Sequence, residues 1–344
     1  MSKTPYEGGL VEVGDGLHAY LQPMGAWGLS NAGFVVGDGA SLLVDTLYDR
    51  PRTEALLAAI HKAAPGVAID SVVNTHANGD HCWGNGVLPD STEIIASASG
   101  AAEMEELPPA QLGKLVKASK ASLKYGAPVN LLLKLLGSLG KPELKGIPDA
   151  AAFVVHAFGA YDFDSVELRT PTRTFEGSLT LDVGGRAVEL VDVGPAHTKG
   201  DVLIHVPDSK TVFTGDILFA DAHPILWAGP FSNWIDACDR ILAWEPETVV
   251  PGHGPLATVK HVTECRDYMQ YVLDESTRRH AAGMGWQDAA RDIALDGFSH
   301  WTESERIMAN VRMAYYELDA TLGLPDAVEL FASMAAYWKE HGQA

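Results

Sequence analysis

His76-Ala77-Asn78-Gly79-Asp80-His81 follows directly on an apolar run containing Ile69, Val72 and Val73. Two imidazoles, a carboxylate and an amide thus fall within six residues at the end of a buried-strand pattern. A strand that ends in such a cluster presents polar side chains at a sheet edge, facing a cleft. Imidazole nitrogens and carboxylate oxygens are the donors that zinc, iron and manganese take, so the spacing reads as a metal-binding motif. Asn78 is the odd member, because a neutral amide oxygen is a weak ligand beside imidazole.

Outward from the motif the chain alternates strands and helices. Val11, Val13, Leu17, Ala19 and Leu21 alternate loosely, and residues 33–36 and 41–45 flank a Gly37-Asp38-Gly39 turn. Pro51 opens a predicted helix through Ala64 with Leu56, Leu57 and Ile60 on one face, and Pro65-Gly66 ends it. Residues 69–75 and 93–96 read as strands, and Trp83, Gly84 and Asn85 as the start of a helix after the motif. Strand patterning resumes at 179–183, 187–191, 202–206 and 211–214, followed by a helix over 234–242 and a short strand at Val249-Val250. Residues 10–99 and 174–258 therefore form two successive halves, which predicts two similar sheets packed face to face.

Four further places complete the pattern. Asp45 ends one strand, His197 lies between two, Asp216 follows Val212-Phe213-Thr214, and His253 follows Val249-Val250. Each sits near glycine, where the backbone can turn sharply and present a side chain at the sheet edge. This order resembles the metallo-β-lactamase superfamily, whose usual motif is His-x-His-x-Asp-His followed by a later His, a Gly-Asp and a Gly-His. The resemblance covers roughly residues 10–258. It implies an α/β fold, the αβ/βα metallo-β-lactamase sandwich, with the catalytic domain at 1–258. A helical insertion or lid at about 101–165 and a helical C-terminal extension at 259–344 are expected to accompany it.

By position, the resemblance implies one metal site of His76, Asn78 and His197. The other is Asp80, His81 and His253, with Asp216 reaching the second and bridging both where two metals bind. Asp45 matches the acid that supports a ligand from behind. The departure is Asn78, which leaves the first site one imidazole short. One zinc per chain is expected at Asp80, His81, Asp216 and His253, with two ions as the asymmetric alternative and iron or manganese possible by ligand type. A subclass of the family's β-lactamases also carries Asn in its first site and works with one zinc.

A bound divalent metal lowers the pKa of its water toward ~7, which makes hydrolysis the expected chemistry. His197 or His76, if uncoordinated, would titrate near ~6.5 and shuttle protons. Asn78 would donate a hydrogen bond to substrate or oxyanion. In the loop after Asp216, His223 and Trp227 are expected to line the pocket, and Lys199 to meet an anionic group. Cys82 is read as buried beside the motif rather than as a ligand.

A net charge of −20 repels nucleic-acid backbones, so a small-molecule substrate is expected and no polynucleotide. No apolar run is long enough to span a bilayer, so no membrane partner is expected. Met1–Glu7 has no apolar h-region and three cysteines are widely spaced, which suits the cytoplasm. β-Lactam hydrolysis is not expected, given that absent export signal and the long lid.

Leu112, Leu115, Val116, Ser119 and Leu123 form one predicted helical face and Lys114, Lys117, Lys120 and Lys124 another, while 128–136 is strongly apolar. Seven of the 13 lysines lie between 114 and 145, a patch that could attract an anionic substrate or an acidic face in a homodimer. The 128–136 stretch is expected to be a core helix, a dimer contact or a lid favouring apolar substrates. The tail is read as helical and without a recognisable site, either packing on the sandwich or forming a subunit contact. The expected activity is hydrolysis of a small ester, lactone, thioester or amide. Three other readings are a hydrolytic dehalogenase of aromatic substrates, an iron-dependent redox enzyme and a non-catalytic binding protein.

Overall fold

Leu42, Leu43 and Val44 are all buried, and alternation along the strand decides which way each points. Leu42 and Val44 enter the core between the two sheets, whereas Leu43 joins the layer outside. A strand covered on both faces has no polar side to show, which is why it reads as a continuous apolar run. The computed structural model describes residues 8–106, 108–138 and 146–341.

The first sheet runs in chain order through β1 (Gly9–Gly14), β2 (Leu17–Leu21), β3 (Ala32–Val36), β4 (Ser41–Val44), β5 (Ser71–Val73), β6 (Glu93–Ser97) and β7 (Arg173–Phe175). It is antiparallel from β1 to β4 and parallel from β4 to β7. The second sheet holds β8 (Ser178–Val183), β9 (Arg186–Asp192), β10 (Val202–Val206), β11 (Thr211–Phe213) and β12 (Thr248–Val250), antiparallel except for the β11–β12 pair. Val35, Leu42, Val44 and Val73 of one sheet meet Val188, Leu190, Ile204 and Phe213 of the other.

Helix α1 (Arg50–Ala63) covers the outer face of the first sheet with Leu56 and Ile60, and Asp49 caps its start by accepting from Arg52 N. The metal-type motif contains its own short helix, α2 (Gly79–Cys82), and residues 83–87 form a tight 3-10 turn rather than a new helix. After α3 (Ala98–Glu103) come the insertion helices α4 (Pro109–Tyr125), α5 (Ala127–Ser138) and α6 (Ile147–Phe158). Helix α7 (Phe231–Ala243) and α8 (Val259–Ala281) cover the second sheet, and α9 (Trp286–Asp292), α10 (Ile307–Leu318) and α11 (Ala327–His341) follow. None of the described helices is long and apolar enough to cross a membrane.

Two expectations about the insertion are corrected. The buried face of α4 is Gly113, Val116, Ser119 and Ser122, and Leu123 is 54% exposed. Small side chains decide this, because they let α6 approach with Ala150, Phe153, Val154 and Ala157. A Cβ on Gly113 would stand 3.1 Å from Phe163 Cβ. Helix α5 is no core helix: among its described side chains only Leu133 is buried, with Leu131, Leu132 and Leu135 exposed. Lys117 pairs with Asp164 and Lys120 donates to Gly159 O, while Lys141, Lys145 and Met1–Glu7 lie outside the described residues.

Candidate metal centre

Asp45, the residue after β4, has φ of 62°, a left-handed conformation that costs a non-glycine residue free energy. What over-determines it is its carboxylate. Thr75 donates to it from its backbone N (2.7 Å) and its hydroxyl (2.8 Å), and His81 donates from Nδ1 (2.8 Å). The Thr75 hydroxyl in turn accepts from His76 Nδ1 at 2.9 Å. His197 donates from Nδ1 to Ile225 O at 2.7 Å. Three imidazoles are thus held from behind by one nitrogen, which fixes the tautomer and turns each Nε2 inward.

Those inward atoms converge. His76, His197 and Asp216 form one group and Asp80, His81 and His253 another, with the donor atoms of each group within 4.8 Å of one another. Asp216 lies between the groups: Oδ1 is 3.1 Å from His81 Nε2, and Oδ2 is 3.3 Å from both His197 Nε2 and His253 Nε2. Asp80 Oδ2 is 3.3 Å from His253 Nε2. His76 Nε2, His81 Nε2 and Asp216 Oδ1 are enclosed and make no hydrogen bond, although the last two are neighbours. Leaving His76 Nε2 unsatisfied costs about 1–3 kcal/mol, while His81 Nε2 and Asp216 Oδ1 face each other as an ion pair at 3.1 Å. An all-nitrogen-and-oxygen donor set converging there suits a divalent zinc, iron or manganese ion.

Gly252 makes room for the central carboxylate, since a Cβ at that position would collide with Asp216 Oδ1. Gly252→Ala is expected to weaken cation binding at least about tenfold by pushing that oxygen aside, in keeping with other losses of support around metal sites. Chelator competition checks it; unchanged affinity in a folded variant would contradict the packing argument.

The charges sort the four rings into two kinds. Burial drives His76 well below its usual range and His197 down to about 4. Burial also presses on His81 and His253, but the carboxylates of Asp216 and Asp80 outweigh it. They hold His81 well above the ordinary value and His253 up to about 9. Burial would raise Asp216, yet His253, His81 and His76 hold it well below the usual carboxylate range. The expected proton shuttle by His76 or His197 at an ordinary imidazole pKa is therefore not supported in the metal-free protein, where both rings are enclosed and neutral near pH 7.

Asn78 donates one N–H from Nδ2 to His197 Nε2 at 2.9 Å, and the part-exposed amide keeps a second N–H. His223 is fully buried against Tyr268 and Trp301 and lines no open pocket. Trp227 is half-buried, stacks on Phe331 and donates its backbone N to His197 O. Lys199 is an exposed side chain bound to Glu106 at 2.7 Å, so a substrate anion would have to displace that carboxylate. Cys82 is buried, donates weakly to Ala77 O and Asn78 O, and has its thiol pushed well up by burial.

Several supporting residues escaped the sequence reading. Asp201 accepts from Thr198 N, Thr198 Oγ1 and Ala196 N and so shapes the loop that carries His197. Ser30 donates to Asp80 O at 2.6 Å, and the Phe219 ring stacks on His253. Asp201 had a visible signal, an acid four residues after a candidate ligand; Ser30 and Phe219 had none.

A family model described as the metallo-beta-lactamase superfamily matches residues 25–253. A linear primary-alkylsulfatase of Pseudomonas sp. (strain ATCC 19151) is 25% identical over 136 residues, 36% of this chain and 26% of that protein. A hydroxyacylglutathione hydrolase of Erythrobacter litoralis (strain HTCC2594) is 32% identical over 71 residues, 21% of this chain and 28% of that one. The matches thus span little more than a quarter of either relative. Among solved structures, a stereoselective inverting sec-alkylsulfatase from Pseudomonas sp. superposes with a TM-score of 0.64 at 16% identity, covering 93% of this chain and 52% of that one. At that identity the likeness is one of fold.

Proposed function

The chain belongs to the metallo-β-lactamase superfamily, and from that premise we propose that it is a metal-dependent hydrolase that cleaves small esters or thioesters bearing an apolar group. The observation that carries the reading is the convergence of four imidazoles and two carboxylates on shared space, with three of their atoms left without hydrogen bonds. Asp80, His81, Asp216 and His253 would hold one ion, and His76 and His197 with Asp216 a weaker second. Such an ion polarises a substrate oxygen and brings its bound water to a pKa of about 7.

The remaining work falls to this chain's side chains. Asp80 and His253, each 8% exposed, together with part-exposed Asn78, are where the centre meets solvent and where substrate would arrive. Asp45, Thr75 and Ile225 O keep the imidazoles from turning. Trp227 with Phe331 beside His197, and Trp83 stacked on Tyr48 behind Gly79, supply apolar surface close to the centre, which favours an acyl or alkyl group over a wholly polar substrate. The named relatives act on an alkyl sulfate and on hydroxyacylglutathione, which are esters of different acids.

A panel of chromogenic carboxylic esters, lactones, thioesters, alkyl sulfates and halogenated aromatics tests the substrate class. Ester or thioester turnover that stops on chelation and returns with added cation is the expected result. Turnover of halogenated aromatics alone would replace the reading with the dehalogenase one. Asn78→His tests the one-ion assignment separately. Bound metal is expected to rise from about one toward two per chain, because imidazole replaces a weak ligand. Two tightly bound ions in the parent protein, by elemental analysis, would remove the premise of that test.

A further inference from the structure

The tail beyond the second sheet carries no motif in sequence, yet two of its buried side chains reach the rear of the metal-site histidines. Asn310 lies within α10 and is fully buried. Its Oδ1 accepts from Leu226 N at 2.8 Å and its Nδ2 donates to Pro224 O at 2.9 Å. These two bonds grip the chain on either side of Ile225. The Ile225 carbonyl is the acceptor that holds His197 Nδ1 at 2.7 Å. One amide therefore fixes the peptide planes that aim the carbonyl, and the carbonyl aims the ring.

Arg306, at the start of α10 and 2% exposed, works on the same loop and on a second histidine. It donates from Nη1 to His223 O at 2.8 Å and pairs with Glu303 at 2.9 Å. Its guanidinium lies 4.7 Å from the Phe219 ring centre and 4.7 Å from that of Trp27. The Phe219 ring is stacked on His253 at 5.0 Å with the planes 7° apart. The guanidinium thus clamps the ring that forms one wall of the His253 site. Nη1 and Nη2 are engaged while Nε is buried without a hydrogen bond, and a buried arginine is costly to keep unless it is well paired.

We infer that Asn310 and Arg306 are positioning residues for the metal centre: Asn310 orients His197 through the Ile225 carbonyl, and Arg306 orients His253 through Phe219. This rests on the metal-centre reading proposed above. It makes the C-terminal helices part of the site's construction, because α10 adds bonds to loop 222–227 and a cation against Phe219 from outside the sandwich.

Cobalt(II) titration, followed by its visible absorption, provides the test, with thermal unfolding of the metal-free proteins as the control for folding. Asn310→Leu keeps the volume and removes both loop bonds; Asn310→Asp keeps the acceptor for Leu226 N. Arg306→Met removes the cation and Arg306→Lys retains it. Asn310→Leu and Arg306→Met are expected to bind cobalt about 10- to 100-fold more weakly with altered band shape, as loss of support behind a ligand does. The Asp and Lys variants should fall between them and the parent. If Asn310→Leu does not fold, Asn310→Asp carries the measurement. Folded variants with the parent's spectrum and affinity would overturn the inference. A parent protein that takes up no cobalt would instead overturn the metal-centre reading beneath it.

Discussion

Replacing Asp216 with alanine is expected to lower kcat/KM by roughly 10³- to 10⁴-fold, the equivalent of several kcal/mol of charge stabilisation by a bound ion. Among the described residues no other carboxylate serves both groups of donors: its oxygens lie 3.1 Å from His81 and 3.3 Å from both His197 and His253. Its loss leaves four facing imidazoles with Asp80 alone to balance a cation. Bound metal should fall well below that of the parent. Asp216→Asn separates charge from shape, since the amide fills the same space without the negative charge. Elemental analysis beside steady-state kinetics checks both, and a fully active, fully loaded Asp216→Ala protein would end the proposal that this carboxylate joins the site.

Cation affinity is expected to rise steeply from pH 6.5 to about 9. In the metal-free fold His253 keeps its proton up to about 9, and His81 stays above its usual range, so each must release a proton before its Nε2 can coordinate. Each displaced proton makes the apparent constant about tenfold stronger per pH unit, so two make it about 100-fold. Stability of the metal-free protein moves the opposite way. A folded-state pKa above the unfolded value of about 6.5 gives stability that is fully present below that value. For His253 it is lost as pH rises through about 9. Metal-free protein should therefore melt lower at pH 9 than at pH 6.5, while the gain on adding cation grows. Thermal unfolding with and without metal across that range decides the matter, and a pH-independent affinity would count against carboxylate-held protons on these rings.

The ligand candidates were legible before any fold was known because metal chemistry restricts residue type. His76, Asp80, His81, His197, Asp216 and His253 each stand after or between strands, beside glycine, and few other roles ask for that combination. The two sheets were legible for a similar reason, since burial on both faces demands unbroken apolar runs such as Leu42 to Val44. On α4 the period placed Val116 and Ser119 in the buried face and Leu112 and Leu115 against the core. It failed at Leu123, which is 54% exposed because the small residues Gly113 and Ser122 let α6 close on that side.

Protonation and support could not be read from the chain. Whether an imidazole rests low like His197 or high like His253 depends on how many carboxylates surround it once it is buried, a sum over residues far apart in sequence. That Asn78 meets His197 at 2.9 Å could not be read from the chain, because the two are 119 residues apart. Asn310 and Arg306 carry no motif at all. They matter because α10 lies against the loop of Ile225 and the ring of Phe219. Which atoms this protein can offer to a metal follows from residue type, because donor chemistry belongs to the side chain. How those atoms are aimed and charged follows from the fold, because orientation and electrostatics are properties of neighbours.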